Sequence, residues 1–325
     1  MERINTYQQK FLEYLEQNSR VTEPKNLYEP IAYILNLGGK RIRPILTLMG
    51  AEIFGATVEE ALPAALAIEV FHNFSLVHDD IMDEAPLRRG KKTVHKKWDV
   101  NTGILSGDAM LIQAYQYFEV YSPDLFFKLT KLFSLTSLQV CEGQQYDVDF
   151  ESRNDVTEDE YLQMITYKTA VLVGAAFQMG AIIANKSEEE QEAIYEFGKL
   201  LGVAFQIQDD YLDAFGNPET FGKQVGGDII ENKKTFLYLK ALQGKGNEDE
   251  KNLQHLFSEN YLGTDSEKIE QAKRIFEQTG AAKFTQDAIK KYTQQAFDIV
   301  KTLDISEENK DLLIGFGTYL MNRRV

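Results

Sequence analysis

Across residues 61–83, apolar side chains occupy nearly every position, which predicts a helix buried on most of its sides rather than one with a single apolar stripe. A helical period recurs over 103–121, 125–150, 158–169, 170–184 and 188–215, and again over 233–242, 266–279, 281–303 and 306–322. Clean apolar/polar alternation bounded by turns, the mark of strands, is hard to find. Loops are signalled at 37–40, 84–92, 151–155, 216–227 and 244–249. The seven prolines all fall at or before Pro218, mostly at element edges; Pro63 suits a first helical turn, and Ser187 with Glu190 spells a capping box. No low-complexity linker divides the chain. The pattern predicts an all-α protein, one domain over 1–325, built as a helical bundle with its ligand site between facing helices.

Composition narrows the function. A chain of 325 residues, 43% hydrophobic and 26% charged, reads as an ordinary soluble globular protein. Its net charge of −15 argues against a nucleic-acid partner, which would require a basic footprint. The single cysteine, Cys141, permits no intrachain disulfide and reads as a core residue among apolar neighbours. His72, His78, His95 and His255 lack zinc-type spacing with cysteine. Residues 1–17 are polar and amphipathic, unlike a secretory signal, and the apolar run 171–184 is too short to span a bilayer. These features place the protein in the cytoplasm, without a membrane span.

Two Asp-Asp-x-x-Asp segments carry the chemistry. Asp79-Asp80-Ile81-Met82-Asp83 and Asp209-Asp210-Tyr211-Leu212-Asp213 each close a long apolar helical stretch. Residues four apart share a helix face, so Asp79 pairs with Asp83 and Asp209 with Asp213. Such carboxylates repel one another and resist burial unless hard cations hold them, and Mg2+ commonly sits between carboxylates and substrate phosphates. One such motif is weak evidence, since acidic runs are usually solvated faces; two, each with basic residues nearby, suggest a metal-dependent diphosphate site. Because a diphosphate is an anion and the chain is acidic, local cations must reverse the field. Gly38-Gly39-Lys40-Arg41-Ile42-Arg43-Pro44 offers a backbone that an anion can approach, followed by three cations. Arg88-Arg89-Gly90-Lys91-Lys92 follows the first motif. Lys168-Thr169, Lys223, Asp228 and Lys233 flank the second, and Gln206 precedes Asp209 by three residues, on roughly the same face.

Taken in order, Gly-Gly-Lys-Arg-x-Arg-Pro, then His72 before Asp-Asp-x-x-Asp, Arg-Arg-Gly, Lys-Thr and Gln-x-x-Asp-Asp-x-x-Asp, the chain resembles the trans-isoprenyl diphosphate synthases, the polyprenyl synthetase family, over nearly its whole length. The resemblance implies an all-α fold around a deep central cavity, usually a homodimer. It implies head-to-tail condensation of an allylic diphosphate with isopentenyl diphosphate, dependent on three Mg2+. By the family pattern Asp79 and Asp83 bind two Mg2+ and Asp209 a third, with Asp80, Asp210, Asp213 and Asp228 behind them. Arg88, Lys168, Lys223 and Lys233 contact the allylic diphosphate, while Lys40, Arg43, His72 and Arg89 bind isopentenyl diphosphate. The Lys168 carbonyl, the Thr169 hydroxyl and the Gln206 amide are dipoles for the allylic cation. Apart from that pattern, His72 also has a plainer reading, as a polar residue satisfied within a buried helix, though its place on the Asp79 face favours the ligand role.

Product length is expected to depend on what blocks the growing chain before Asp79. Phe74 lies five residues earlier, about 7.5 Å along a helix axis. Ser75 beside it is small, and Phe71 lies deeper. Phe74 at that place resembles geranylgeranyl (C20) synthases, with farnesyl (C15) synthases close behind; Met110 or Tyr115 on other helices could shift the floor. A terpene cyclase normally carries an Asn/Ser/Glu second motif, and a non-catalytic partner subunit tends to lose one acidic motif; this chain keeps both. The C-terminal Arg323-Arg324 reads as a polar tail or as a lid over the isopentenyl site.

Overall fold

A computed structural model describes residues 2–216, 225–243, 247–258 and 261–322. Helices make up 79% of it, as the period predicts. The chain forms two compact units: Met1–Ser134 with Ala175–Tyr195, and Leu135–Gly174 with Glu196–Val325.

The first unit is organised on a long helix, α4 (Val58–Met82), whose buried residues run from Val58 to Asp80 and include Leu66, Ile68, Phe71 and Val77. Its start is fixed by a capping box that the apolar pattern does not reveal: Thr57 Oγ1 accepts from Glu60 N while Glu60 returns to Thr57 N at 2.8 Å. Pro63 therefore sits in the second helical turn, not the first. Before α4 come α1 (Glu2–Asn18), α2 (Lys25–Leu35) and α3 (Ile42–Ile53). Pro30 lies inside α2 rather than at an edge. Glycine lets α3 cross α9 (Val171–Ile183) closely, for a Cβ on Gly50 would lie 2.6 Å from the Phe177 carbonyl oxygen. After α4, the segment expected as an irregular loop contains a two-residue antiparallel hairpin, Leu87–Arg88 with Lys91–Lys92. Both turn residues, Arg89 and Gly90, have positive φ (52° and 72°), as in a type I′ turn. Short α5 (Val94–Lys97), α6 (Val100–Gln116), the first part of α7 (Pro123–Glu151), most of α9 and the helical residues up to 195 complete this unit.

The second unit takes the rest of α7, α8 (Glu158–Ile165), the later part of α10 (Glu188–Phe215), and α11 (Gly227–Ile230), α12 (Phe236–Leu242), α13 (Asn247–Leu256), α14 (Asp265–Gln278), α15 (Ala281–Thr302) and α16 (Glu307–Met321). Its core joins Phe150, Tyr161, Ile207, Phe236, Leu239 and Phe276. α13 begins at Asn247, within the stretch 244–249 expected to be loop, of which 244–246 lie outside the described residues; its acidic surface masks two buried leucines, Leu253 and Leu256. The expected break at Thr169/Ala170 is not a break: α8 continues into α9 through a π turn, Thr166–Ala170. By length and composition the combined run Glu158–Ile183 could cross a membrane, but 72% of its apolar window is buried in the protein, as in a core helix. Cys141, expected in the core, is exposed on α7. The Ser187–Glu190 capping box is present as read.

Candidate active site

In the first unit, Asp79 and Asp80 occupy the last turn of α4, and Asp83 caps it, exposed. Asp80 is buried. Arg88 on the hairpin reaches back to it, Nε and Nη2 lying 2.8 and 2.7 Å from Asp80 Oδ1, with Asp79 Oδ2 3.7 Å away. Burial pushes the Asp80 carboxyl up and Arg88 opposes that shift. Asp80 Oδ2 is buried and takes no hydrogen bond from the protein.

The neighbouring Arg89 turns to the other side of the hairpin. Its guanidinium donates to the Gly38 carbonyl and lies so close to Gly39 (φ 115°) that a Cβ there would be 2.7 Å from Arg89 Cζ. The left-handed backbone at Gly39 favours glycine, and a side chain there would also push the Arg89 guanidinium aside. Lys40 follows, exposed at the same loop. Arg43 Nη1 lies 3.1 Å from His72 Nε2. Since arginine only donates, His72 Nε2 is the acceptor and the ring proton sits on Nδ1. Burial, then the guanidiniums of Arg43, Arg89, Arg88 and Arg41, hold His72 well below its ordinary pKa, so the imidazole is neutral. The structure thus brings Arg43 to His72 and Arg89 to the glycine loop, as the motif order suggests. What the sequence reading missed is the anchor beneath them. Buried Arg41 pairs with Glu69 at 2.5 Å and donates to the Leu35 carbonyl, and Asn73 also bonds Glu69. Three cations in four residues look alike in sequence; this one holds the loop to α4 and does not face outward.

One and a half turns before Asp79, Phe74 (8% exposed) packs against Phe71 (ring centroids 5.5 Å) and His78 (4.8 Å). Phe71 meets Phe133 at 5.2 Å, and Phe133 meets Tyr115 at 4.8 Å. Ser75 turns its hydroxyl to the His72 carbonyl, and Met110 is fully buried. Phe133, not singled out in sequence, is the hub of this aromatic group.

In the second unit a cavity of about 120 Å³ is lined by Asp147, Tyr161, Lys168, Thr169, Gln206, Asp210, Asp228 and Lys233, among others. Lys168 and Thr169 belong to the π turn. Two glycines admit that wider turn: a Cβ on Gly143 would lie 2.1 Å from Lys168 N, and one on Gly202 2.7 Å from Ala170 Cα. Lys168 Nζ is held by Asp147 at 2.5 Å, and the Thr169 hydroxyl donates to Gln206 Oε1 at 3.3 Å. Gln206 Nε2 donates to Asp210 Oδ1 at 3.2 Å, and the Tyr161 hydroxyl to Asp210 Oδ2 at 2.5 Å. Burial, reinforced by Asp228, pushes Asp210 up to about 8. Asp213 accepts from Asp228 N at 3.0 Å, closing the turn that presents Asp228. Lys233 Nζ stands 3.7 Å from Asp228 and 3.0 Å from Glu231; burial lowers its pKa, but these carboxylates outweigh that and raise it, so it stays charged. Asp209 is half-buried one position before Asp210. Lys223, Arg323 and Arg324 lie outside the described residues. Asp147 and Tyr161 were missed: they sit 21 and 49 residues from their partners, with no local pattern to betray the pairing.

A sequence model of the polyprenyl synthetases matches residues 24–309. The chain belongs to the polyprenyl synthetase family. Within it, a crystal structure of a geranylgeranyl pyrophosphate synthase is 58% identical and superposes with a TM-score of 0.95, covering 99% of both chains. The geranylgeranyl diphosphate synthase of Methanosarcina mazei is 36% identical over 93% of this chain and 91% of its own. The geranylfarnesyl diphosphate synthase of Natronomonas pharaonis is also 36% identical, over 96% and 94%. The protein is accordingly a prenyltransferase of the all-α isoprenyl synthase fold, and catalysis in this family uses a divalent metal.

The donor set suits such a metal. Among the described residues no three His, Cys, Asp or Glu side chains converge into a closed cage. Mg2+ does not need one: it keeps several waters and uses one or two carboxylates with substrate phosphates. The unsatisfied, buried Asp80 Oδ2 is an acceptor fit for a metal-bound water.

Proposed function

We propose that this polyprenyl synthetase condenses isopentenyl diphosphate head to tail with allylic diphosphates, using Mg2+, and stops at the C20 geranylgeranyl product. The observation that carries the product length is the aromatic group before the first motif. Phe74 is buried and packed against Phe71, and Phe71 in turn against Phe133, so a longer chain would have to displace a packed ring. The relatives named as geranylgeranyl synthases support this reading. The geranylfarnesyl synthase at the same identity as the Methanosarcina enzyme means that family membership alone does not set length.

Asp79 and Asp83 would hold two Mg2+ and Asp209 a third, with Asp80, Asp210, Asp213 and Asp228 supporting them. Bound there, the metal neutralises charge as diphosphate leaves the allylic carbon. The chain's own groups do the rest. Arg88, Lys168, Lys223 and Lys233 contact the allylic diphosphate. Lys168 is held by Asp147 and so is already placed, with little side-chain freedom left to lose on binding. Thr169 spends its proton on Gln206, which leaves its oxygen lone pairs, with the Lys168 carbonyl, to face a developing allylic cation. Lys40, Arg43, His72 and Arg89 bind isopentenyl diphosphate, neutral His72 acting as a hydrogen-bond donor through Nδ1. No side chain in the set is an evident base, so the proton lost after carbon–carbon bond formation goes to the released diphosphate. Two copies of the chain form the working enzyme; Leu105, Ile112 and Phe127 are 61%, 60% and 65% exposed in the first unit, an apolar face suited to a second copy.

The test is incubation of the protein with Mg2+, isopentenyl diphosphate and C5, C10 or C15 allylic diphosphate, with products sized by mass spectrometry. C20 from all three is expected. Termination at C15 would assign the farnesyl activity, products beyond C20 would remove Phe74 as the floor, and no elongation would overturn the synthase reading.

A further inference from the structure

The two acidic motifs are supported differently. The central carboxylate of the first, Asp80, is held by a cation, Arg88. The central carboxylate of the second, Asp210, is 7% exposed and accepts from two neutral donors, the Gln206 amide and the Tyr161 hydroxyl. Of these the hydroxyl is the nearer, at 2.5 Å against 3.2 Å. Tyr161 is itself 1% exposed, and its ring packs on Phe236 at 6.0 Å between centroids. Its helix is pinned at the start, with Thr157 and Glu160 in a capping box, Arg153 bonded to Glu160 at 2.9 Å, and the Tyr161 amide donating to the Thr157 carbonyl. The hydroxyl is therefore presented to Asp210 by a capped and packed element.

From this we infer that Tyr161 is a positioning residue for the second metal motif. It orients the Asp210 side chain, and with it the turn that carries Asp209, through a neutral hydrogen bond where the first motif uses an arginine. The inference rests on the metal role proposed for Asp209. A buried carboxylate freed of its donor can rotate, and loss of an outer partner of this kind typically weakens metal binding by about tenfold or more.

Tyr161→Phe deletes only the hydroxyl and keeps the ring against Phe236. Mn2+ binding, followed by electron paramagnetic resonance in the presence of inorganic diphosphate, reads the motif without turnover. Binding weakened about tenfold is expected, together with a raised Mg2+ requirement for turnover and a kcat that recovers at saturating Mg2+. Wild-type Mn2+ affinity in the variant, whether or not activity falls, would overturn the inference. Tyr161→Leu, which also removes packing, controls for structure: a Tm loss confined to that variant separates the hydroxyl's role from the ring's, whereas an equal Tm loss in Tyr161→Phe would make the hydroxyl structural and overturn the inference. If the wild type itself binds no Mn2+ and elongates nothing, the proposed function has failed, which is a different result.

Discussion

At the residue scale, each acidic motif combines a half-buried leading aspartate with a buried central one that other side chains restrain. Asp79→Ala and Asp209→Ala should each lower kcat by at least about 10²-fold, the usual cost of deleting one electrostatic contributor, while circular dichroism stays near wild type; full turnover in either would sink the metal assignment. Lys40 stands exposed beside the Arg89–Gly39 contact, at the loop proposed to meet the second diphosphate. Lys40→Ala should raise KM for isopentenyl diphosphate about tenfold, the worth of one charged hydrogen bond, and leave KM for the allylic substrate nearly unchanged. Phe74→Ala should shift the product distribution past C20 by mass spectrometry; an unchanged product would move the floor elsewhere, to Phe71 or Phe133. Much of this was legible because Asp-x-x-x-Asp spacing and Gly-Gly-Lys are local patterns. Asp147, Tyr161 and Glu69 were not legible, because a bond between residues 21 to 49 apart leaves no period in the chain.

At the element scale, periodicity located most helices and misjudged what joins them. Residues 170–184 read as a new helix because apolar density rises there, yet the backbone continues through a π turn. That turn needs Gly143 and Gly202 on neighbouring helices, and a glycine within a helical pattern announces a close approach without saying to what. Gly143→Ala would drive a Cβ into the Lys168 backbone. It should destabilise the protein by about 1–3 kcal/mol, measured as a lower Tm, and depress kcat by displacing the Lys168 ammonium from Asp147. An alanine variant with wild-type Tm and kcat would mean that the turn tolerates repacking. Cys141 illustrates the converse error: it has apolar neighbours, but Leu138, close by on the same helix, is itself 59% exposed, so apolar company did not mean core. α13 escaped notice because two buried leucines in an acidic segment are too few to set a period.

At the scale of the whole molecule, the protein carries a net charge of −15, and the proposed diphosphate contacts draw on cations gathered locally against that field. The apolar face bearing Leu105 and Ile112 belongs to the same scale. Leu105→Asp with Ile112→Lys should convert the proposed dimer to monomer in sedimentation, whereas an unchanged mass would place the interface elsewhere. The all-α architecture was legible from the helical period and the family from the order of its motifs, both acidic ones being kept; the units into which the chain divides were not, because α7, α9 and α10 each run through a boundary with no composition change. The hairpin after the first motif has a consequence for how such chains can vary. Arg88 and Arg89 are adjacent, yet one is committed to Asp80 and the other to Gly38. The turn is therefore a gauge block of fixed width: a one-residue insertion or deletion would swing one guanidinium off its mark whichever way it was absorbed. Length changes should accumulate in the loops of this lineage and be purged from this one.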